Sequence, residues 1–195
     1  MSVIQLSQNQ LRFENAVREF LGWVGESPTR PGLLDTPNRL YRMCSELLYG
    51  YTDAAQSELE KIYQSKFPTK NDQLIVVRDI GVFSLCEHHW QPFFGTCDIG
   101  YLPGTSVLGL SKFSRVVRIF SQRFQIQEGL TDAIADSLVS HLECQGLIVS
   151  MNCKHLCCIG RGVKDINVNM LTSSVHGLFR TDASLKSEFF SLVRP

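Results

Sequence analysis

Two consecutive amphipathic helical stretches, bracketed on both sides by strand-like segments, constrain this chain more than any other feature. From Ser111 the apolar residues Val116, Val117, Ile119 and Phe120 recur at helical spacing, and beyond Thr131 so do Ile134, Leu138 and Leu142. Before them lie β-rich runs at Leu74 to Val77, Phe93 to Tyr101 and Val107 to Leu110, the last set off by the Pro103-Gly104 turn. After them come Leu147 to Asn152 and Val168 to Ser174. Strand pairs flanking two adjacent helices predict an antiparallel sheet with both helices on one face, an α+β architecture. Thr131 is the expected cap of the second helix and Gly146 its expected stop.

Four more helices frame this pattern. Leu11 to Val24 carries Phe13, Val17, Phe20, Leu21 and Val24 on one stripe, and Thr36-Pro37 opens a second helix faced by Leu40, Met43, Leu47 and Leu48. A short helix is expected near Gln56 to Tyr63, and Ser184 to Val193 closes the chain. Character changes near Gln73, so residues 1–70 are expected to form a helical region and 71–195 the sheet-bearing domain, within one structural unit.

A chain of 195 residues, 44% of them hydrophobic, can bury a core without covalent staples. Its 19 basic residues are balanced by 19 acidic ones, which argues against nucleic acid or a membrane surface as partner. Any anion site must therefore be local. Met1 to Gln10 lacks the basic and apolar regions of a secretory signal, and no apolar run reaches bilayer length. The seven cysteines are odd in number and irregularly spaced. In a chain read as cytoplasmic, that pattern predicts reduced thiols and metal binding rather than a disulfide framework.

Cys86-Glu87-His88-His89 packs a thiolate and two imidazoles into four residues just after a strand. Cys86 and His89, three apart, can reach one ion from a turn. A second cluster, His155-Leu156-Cys157-Cys158, follows a later strand, and residues two apart on a strand share a face. Thiolate and imidazole are the donors zinc prefers, and Cys86, His89 and Cys157 make a three-donor set with an open position for water. His88 or Cys158 as a fourth donor would make the site structural instead. His88 and His155 are left over beside the donors, where an imidazole can exchange protons near neutral pH. Cys44, Cys97, Cys144 and Cys153 read as small buried hydrophobes.

Ser111-Lys112-Phe113-Ser114-Arg115 opens a helix directly after a strand. Free N–H groups, the helix dipole and the cations Lys112 and Arg115 on one face together suit an anion. Arg161 follows the second cluster and brings another cation near it. Surface-solvated charge accounts for these cations equally well. Glu128, beside Gln127 between the two helices, has the acceptor geometry for the N1–H and N2–H₂ edge of guanine, or is simply a solvated loop acid.

Taken together the segments resemble the GTP cyclohydrolase I family. The resemblance runs from about Phe13 to the end. It rests on Gly32-Leu33-Leu34-Asp35-Thr36-Pro37, on Cys86-Glu87-His88-His89 with Pro92-Phe93, and on Gly109-Leu110-Ser111-Lys112 with Arg115. Gln125-Ile126-Gln127-Glu128, His155-Leu156-Cys157, Arg161-Gly162-Val163 and Gly177-Leu178-Phe179-Arg180 complete it. It implies zinc on Cys86, His89 and Cys157, an acid–base pair in His88 and His155, and a triphosphate pocket of Ser111, Lys112, Arg115 and Arg161. Gln127 and Glu128 would clamp guanine, Ser111 would also serve proton shuttling near the sugar, and Arg39 is a softer match to a further phosphate-reaching arginine.

The implied fold is a tunnelling fold (T-fold): a four-stranded antiparallel sheet with two helices on one face and an N-terminal helical layer. That would make 71–195 the catalytic domain of a ring-shaped homo-oligomer, commonly a decamer, with sites between neighbours. The implied reaction converts GTP to 7,8-dihydroneopterin triphosphate and formate. Gly129 stands where the family usually has arginine, Trp90-Gln91 replaces the commoner pair before Pro92, and Cys158 doubles the second thiol. Among other readings, the His-x-Glu and Pro-Cys-x-x-Cys pair of a zinc nucleobase deaminase is absent. A nitrile reductase of deazaguanine synthesis would not need these donors. A zinc-stabilised nucleotide-binding module without turnover would hold its metal with four protein donors.

Overall fold

The computed structural model describes residues 3–193, so the polar stretch read from Met1 lies partly outside them. Its elements run α1 (Val3–Trp23), α2 (Thr36–Leu47), a 3-10 turn (Tyr49–Tyr51), α3 (Asp53–Gln64), β1 (Lys66–Pro68), β2 (Ile75–Cys86) and β3 (Pro92–Leu102). There follow β4 (Ser106–Leu108), α4 (Leu110–Ser121), β5 (Phe124–Gln125), α5 (Gln127–Leu142), β6 (Gly146–His155), α6 (Leu156–Ile159), β7 (Met170–Gly177), α7 (Leu178–Thr181) and α8 (Ala183–Val193). No helix among the described residues is long and apolar enough to cross a membrane.

The chain divides into two units between Leu48 and Tyr49. The first is the pair α1 and α2. Phe13 meets Tyr41 edge-on at 5.9 Å, and Asn38 donates to Glu14 at 3.3 Å. Asp35 rather than Thr36 precedes α2, which places Pro37 inside the first turn, where its missing N–H costs nothing.

The second unit is built on a sheet ordered β5-β2-β3-β6-β7. Its four long strands are antiparallel neighbours, as expected for this α+β class, and the two-residue β5 adds a parallel edge against Leu85 and Cys86. The run expected at Val107 to Leu110 lies outside that sheet; as β4 it pairs with β1 in a small sheet of its own. The division falls earlier in sequence than the change of character near Gln73. The reason is that Ala55, Leu59, Ile62 and Tyr63 of α3 belong to the main core. Thr52 caps that helix through its hydroxyl on Ala55 N–H at 3.2 Å.

Helices α4 and α5 cover one face of the sheet. Phe113, Val116, Val117, Leu130, Ile134 and Leu138 are fully buried against Phe93, Ile99, Tyr101, Val149 and Met151. Each such side chain contributes about 1.5–3 kcal/mol. Thr131 is no cap: α5 begins four residues earlier, and the Thr131 hydroxyl donates back to the Gln127 carbonyl at 2.7 Å inside the helix. On the sheet's other face Ile148 meets Phe179 and Phe189, brought by α7 and α8.

The two helices run in opposite senses along the strands, and this sets where functional residues lie. Phe113, near the start of α4, contacts Tyr101, which pairs with Ile75. After α4 ends, Arg123 receives the Ser84 hydroxyl on its carbonyl and Gln125 pairs with Cys86. So α4 starts at the Ile75 end of the sheet and finishes at the Cys86 end, while α5 starts at the Cys86 end.

Candidate metal centre and active site

Cys86 closes β2 and His89 stands in the tight connection to β3. That connection is pinned at several points: Trp90 N–H donates to Cys86 O at 2.8 Å, Cys86 N–H to Gln91 O at 2.9 Å, and Glu87 N–H to Gln125 O at 3.1 Å. Trp90 takes φ +54° to complete the turn and lays its ring on Phe124, 5.2 Å away. The loop thereby turns Cys86 and His89 toward the same point.

The third donor comes from across the sheet. β6 ends at His155 and the chain coils at once into the single turn α6, which carries Cys157 and Cys158. Strand alternation does not place Cys157, contrary to the sequence argument; a helical turn does. Cys86 Sγ, a ring nitrogen of His89 and Cys157 Sγ lie within 4.8 Å of one another. Tetrahedral zinc, with bonds near 2.3 Å to sulfur and 2.0–2.1 Å to nitrogen, holds its donors about 3.6–3.8 Å apart, so the group fits after a contraction of about 1 Å. The Cys157 thiol is pushed up to about 11, first by burial and then by the neighbouring Cys86 and Cys158 thiols. Crowded thiols that resist ionising together are the environment a divalent cation relieves. Cys158 touches Cys157 but is not part of the three-donor group.

Around this group stand further titratable side chains. His88 Nδ1 is 3.7 Å from Cys86 Sγ, and its Nε2 is 3.9 Å from the Glu87 carboxylate. Arg161 Nη1 donates to His89 Nε2 at 2.9 Å. His155 stacks on the buried Phe93 ring at 4.9 Å, nearly parallel, and its Nε2 lies 2.9 Å from Gln127 Oε1. Burial lowers the pKa of His155, opposed by the nearby Glu128 carboxylate. Glu128 itself is exposed.

Gln127 is not available to clamp a base with its side chain. It is 1% exposed, and its amide nitrogen faces Met151 O at 3.0 Å, Met170 O at 2.9 Å and Thr172 Oγ1 at 3.0 Å. Those two carbonyls can only accept, so the nitrogen must point at them and the amide oxygen at His155. His155 therefore donates from Nε2, which leaves Nδ1 as its basic atom when neutral. The signal was in the sequence: Gln127 falls on the same helical stripe as Leu130, Thr131 and Ile134, the buried one.

Ser111 and Lys112 occupy the first turn of α4, and Arg115 the next. Gly109 before them offers no side-chain cap, which suits an anion at those N–H groups. Within one chain this turn lies at the Ile75 end, one helix length of about 18 Å from the α4 terminus that adjoins Cys86. The structure thus gathers Cys86, His89, Cys157, His88, His155, Glu128 and Arg161 at one end of the sheet and leaves Ser111 and Lys112 at the other. Arg39 lies in the first unit, exposed, with Asp35 at 3.8 Å.

Residues 13–194 match the family described as GTP cyclohydrolase I. The chain belongs to the GTP cyclohydrolase I family. GTP cyclohydrolase 1 of Campylobacter jejuni subsp. doylei is 40% identical over 184 residues, covering 94% of this chain and 95% of that one. The Dictyostelium discoideum protein of the same name is 44% identical over 181 residues, 93% of this chain and 77% of that one. The Mycobacterium leprae protein of that name is 43% identical over 188 residues, 95% and 89% of the two chains. As a member of the GTP cyclohydrolase I family the chain is an enzyme, and the Cys86–His89–Cys157 group is where it could hold a metal.

Proposed function

We propose that the chain hydrolyses GTP to 7,8-dihydroneopterin triphosphate and formate at a zinc ion held by Cys86, His89 and Cys157. The observation that carries this reading is the convergence of those three donors, from two distant segments, in a chain of this family. When bound, zinc supplies Lewis acidity and a water acidified toward neutral pH. The balance of the reaction takes two additions of water, one opening the imidazole ring at C8 and one freeing formate. Rearrangement and pterin ring closure then expel one water.

The protein's own groups account for the rest. C8 becomes electrophilic when N7 of guanine is protonated, and His155 is the donor, carrying that proton at Nδ1 because Gln127 holds its Nε2–H. Phe93 stacked on the ring fixes its plane, so the proton is delivered from one direction. His88, beside Cys86 and more exposed, relays protons in the later sugar rearrangement together with Ser111. Glu128 accepts from the N1–H and N2–H₂ edge of guanine, which adenine lacks. Arg161, Lys112 and Arg115 take the triphosphate, and its binding energy keeps the base aligned through several steps.

Lys112 and Ser111 stand at the opposite end of the sheet from the metal donors, so both sets serve one substrate only if a second copy brings its α4. This separation supports a homo-oligomer with sites between subunits; the reading we propose is a ring such as a decamer and a cytoplasmic enzyme with GTP as its partner. The test is formate release from GTP by zinc-loaded protein beside a chelated sample. One formate per pterin, abolished by chelation and restored by zinc, is expected. A folded, metallated protein that releases none would overturn the proposal in favour of nucleotide binding without turnover.

A further inference from the structure

The contact between Arg161 Nη1 and His89 Nε2, 2.9 Å long, joins a cation read as an anion ligand to an imidazole read as a metal ligand. A guanidinium has only donors and stays protonated, so the bond exists only while His89 Nε2 offers its lone pair. A neutral imidazole has one lone pair, and when one ring nitrogen ligates a metal the other carries hydrogen. A metal on Nε2 displaces the guanidinium directly. A metal on Nδ1 turns Nε2 into an N–H that faces donors. In both arrangements the Arg161 bond and a metal on His89 exclude each other.

We infer that Arg161 is a gate shared by the metal and anion sites: metal capture by His89 releases its guanidinium for the substrate's phosphates, and an anion that takes Arg161 frees His89 for the metal. The inference rests on the proposed reading of Cys86, His89 and Cys157 as metal donors. Local structure permits the swing. Arg161 is exposed and lies between Gly160 and Gly162, the latter at φ +60°, in the connection from α6 to β7. The coupling is reciprocal by linkage, so the anion tightens metal binding by the factor by which metal tightens anion binding.

The experiment measures zinc affinity of the full-length protein at free zinc fixed by a metal buffer, with and without inorganic triphosphate. The buffer removes chelation by the anion from the readout. In the native sequence triphosphate should tighten zinc binding about tenfold. Arg161→Met keeps the stem but no donor; it should bind zinc more tightly than the native protein without anion and lose most of the coupling. Arg115→Met removes the same charge without touching His89, and should weaken triphosphate while leaving the coupling factor intact. Undiminished coupling in Arg161→Met, or equal loss in both variants, overturns the gate and leaves the metal reading standing. A native protein that binds zinc no better than Cys157→Ser overturns the metal reading and the gate with it.

Discussion

At the Cys86 end of the sheet one chain assembles a donor set from the β2–β3 connection and α6, and packs His155, Gln127 and Glu128 around it. At the Ile75 end the same chain presents Ser111 and Lys112 on an uncapped helix start, with none of the metal donors near them. The difference follows from what each chemistry needs. Metal donors must converge within about 4 Å, which a turn pinned by backbone hydrogen bonds achieves locally. A triphosphate is long and its cations act over a wider reach, so they can be delivered by another copy.

Cutting the metal end should have the largest effect. Cys157→Ser should lose bound zinc and all turnover, whereas Cys158→Ser should keep both, as read by metal content after dialysis; the reverse pattern would move the third donor to Cys158. Next, His155→Ala should retain zinc and lose about 10²–10⁴-fold in kcat. Loss of zinc in that variant would make it a ligand. The comparison itself is sharpened by mixing: Cys157→Ser and Lys112→Met, each inactive or crippled alone, should on reassembly regain up to about one functional site in four. No recovery from verified mixed oligomers would place both ends in separate functions.

Smaller effects concern stability at the start of α5. Gln127→Ala strips Met151 O and Met170 O of their donor and should cost about 1–3 kcal/mol in a denaturation series, besides slowing turnover through His155. A metal-loaded variant with native stability and native kcat would remove Gln127 from both roles. Smallest of all is Gly129→Ala. A Cβ there meets Ile126 Cγ1 at 3.4 Å, ordinary contact, so the variant should gain about 0.5–1 kcal/mol. A loss instead would mean that glycine is needed at the helix start.

The sequence by itself determined the architecture and singled out Cys86, His89 and Cys157, the group that could hold a metal. Hydrophobic period separates strands from helices because side-chain direction repeats every two or every 3.6 residues, and Cys-x-x-His can close on one ion within a turn. Element ends were less legible: Thr131 reads as a cap from its type, but the buried phase of Gln127, Leu130 and Ile134 extends α5 ahead of it. Only the tertiary structure decided that the buried Gln127 amide meets His155 and sets its proton, that a helical turn delivers Cys157, that Arg161 bonds to His89, and that Ser111 and Lys112 lie a helix length from the metal end. Each of these depends on which segments meet across the sheet. Pairing between residues many positions apart leaves no periodic trace in a single chain, because it is set by packing rather than by local spacing.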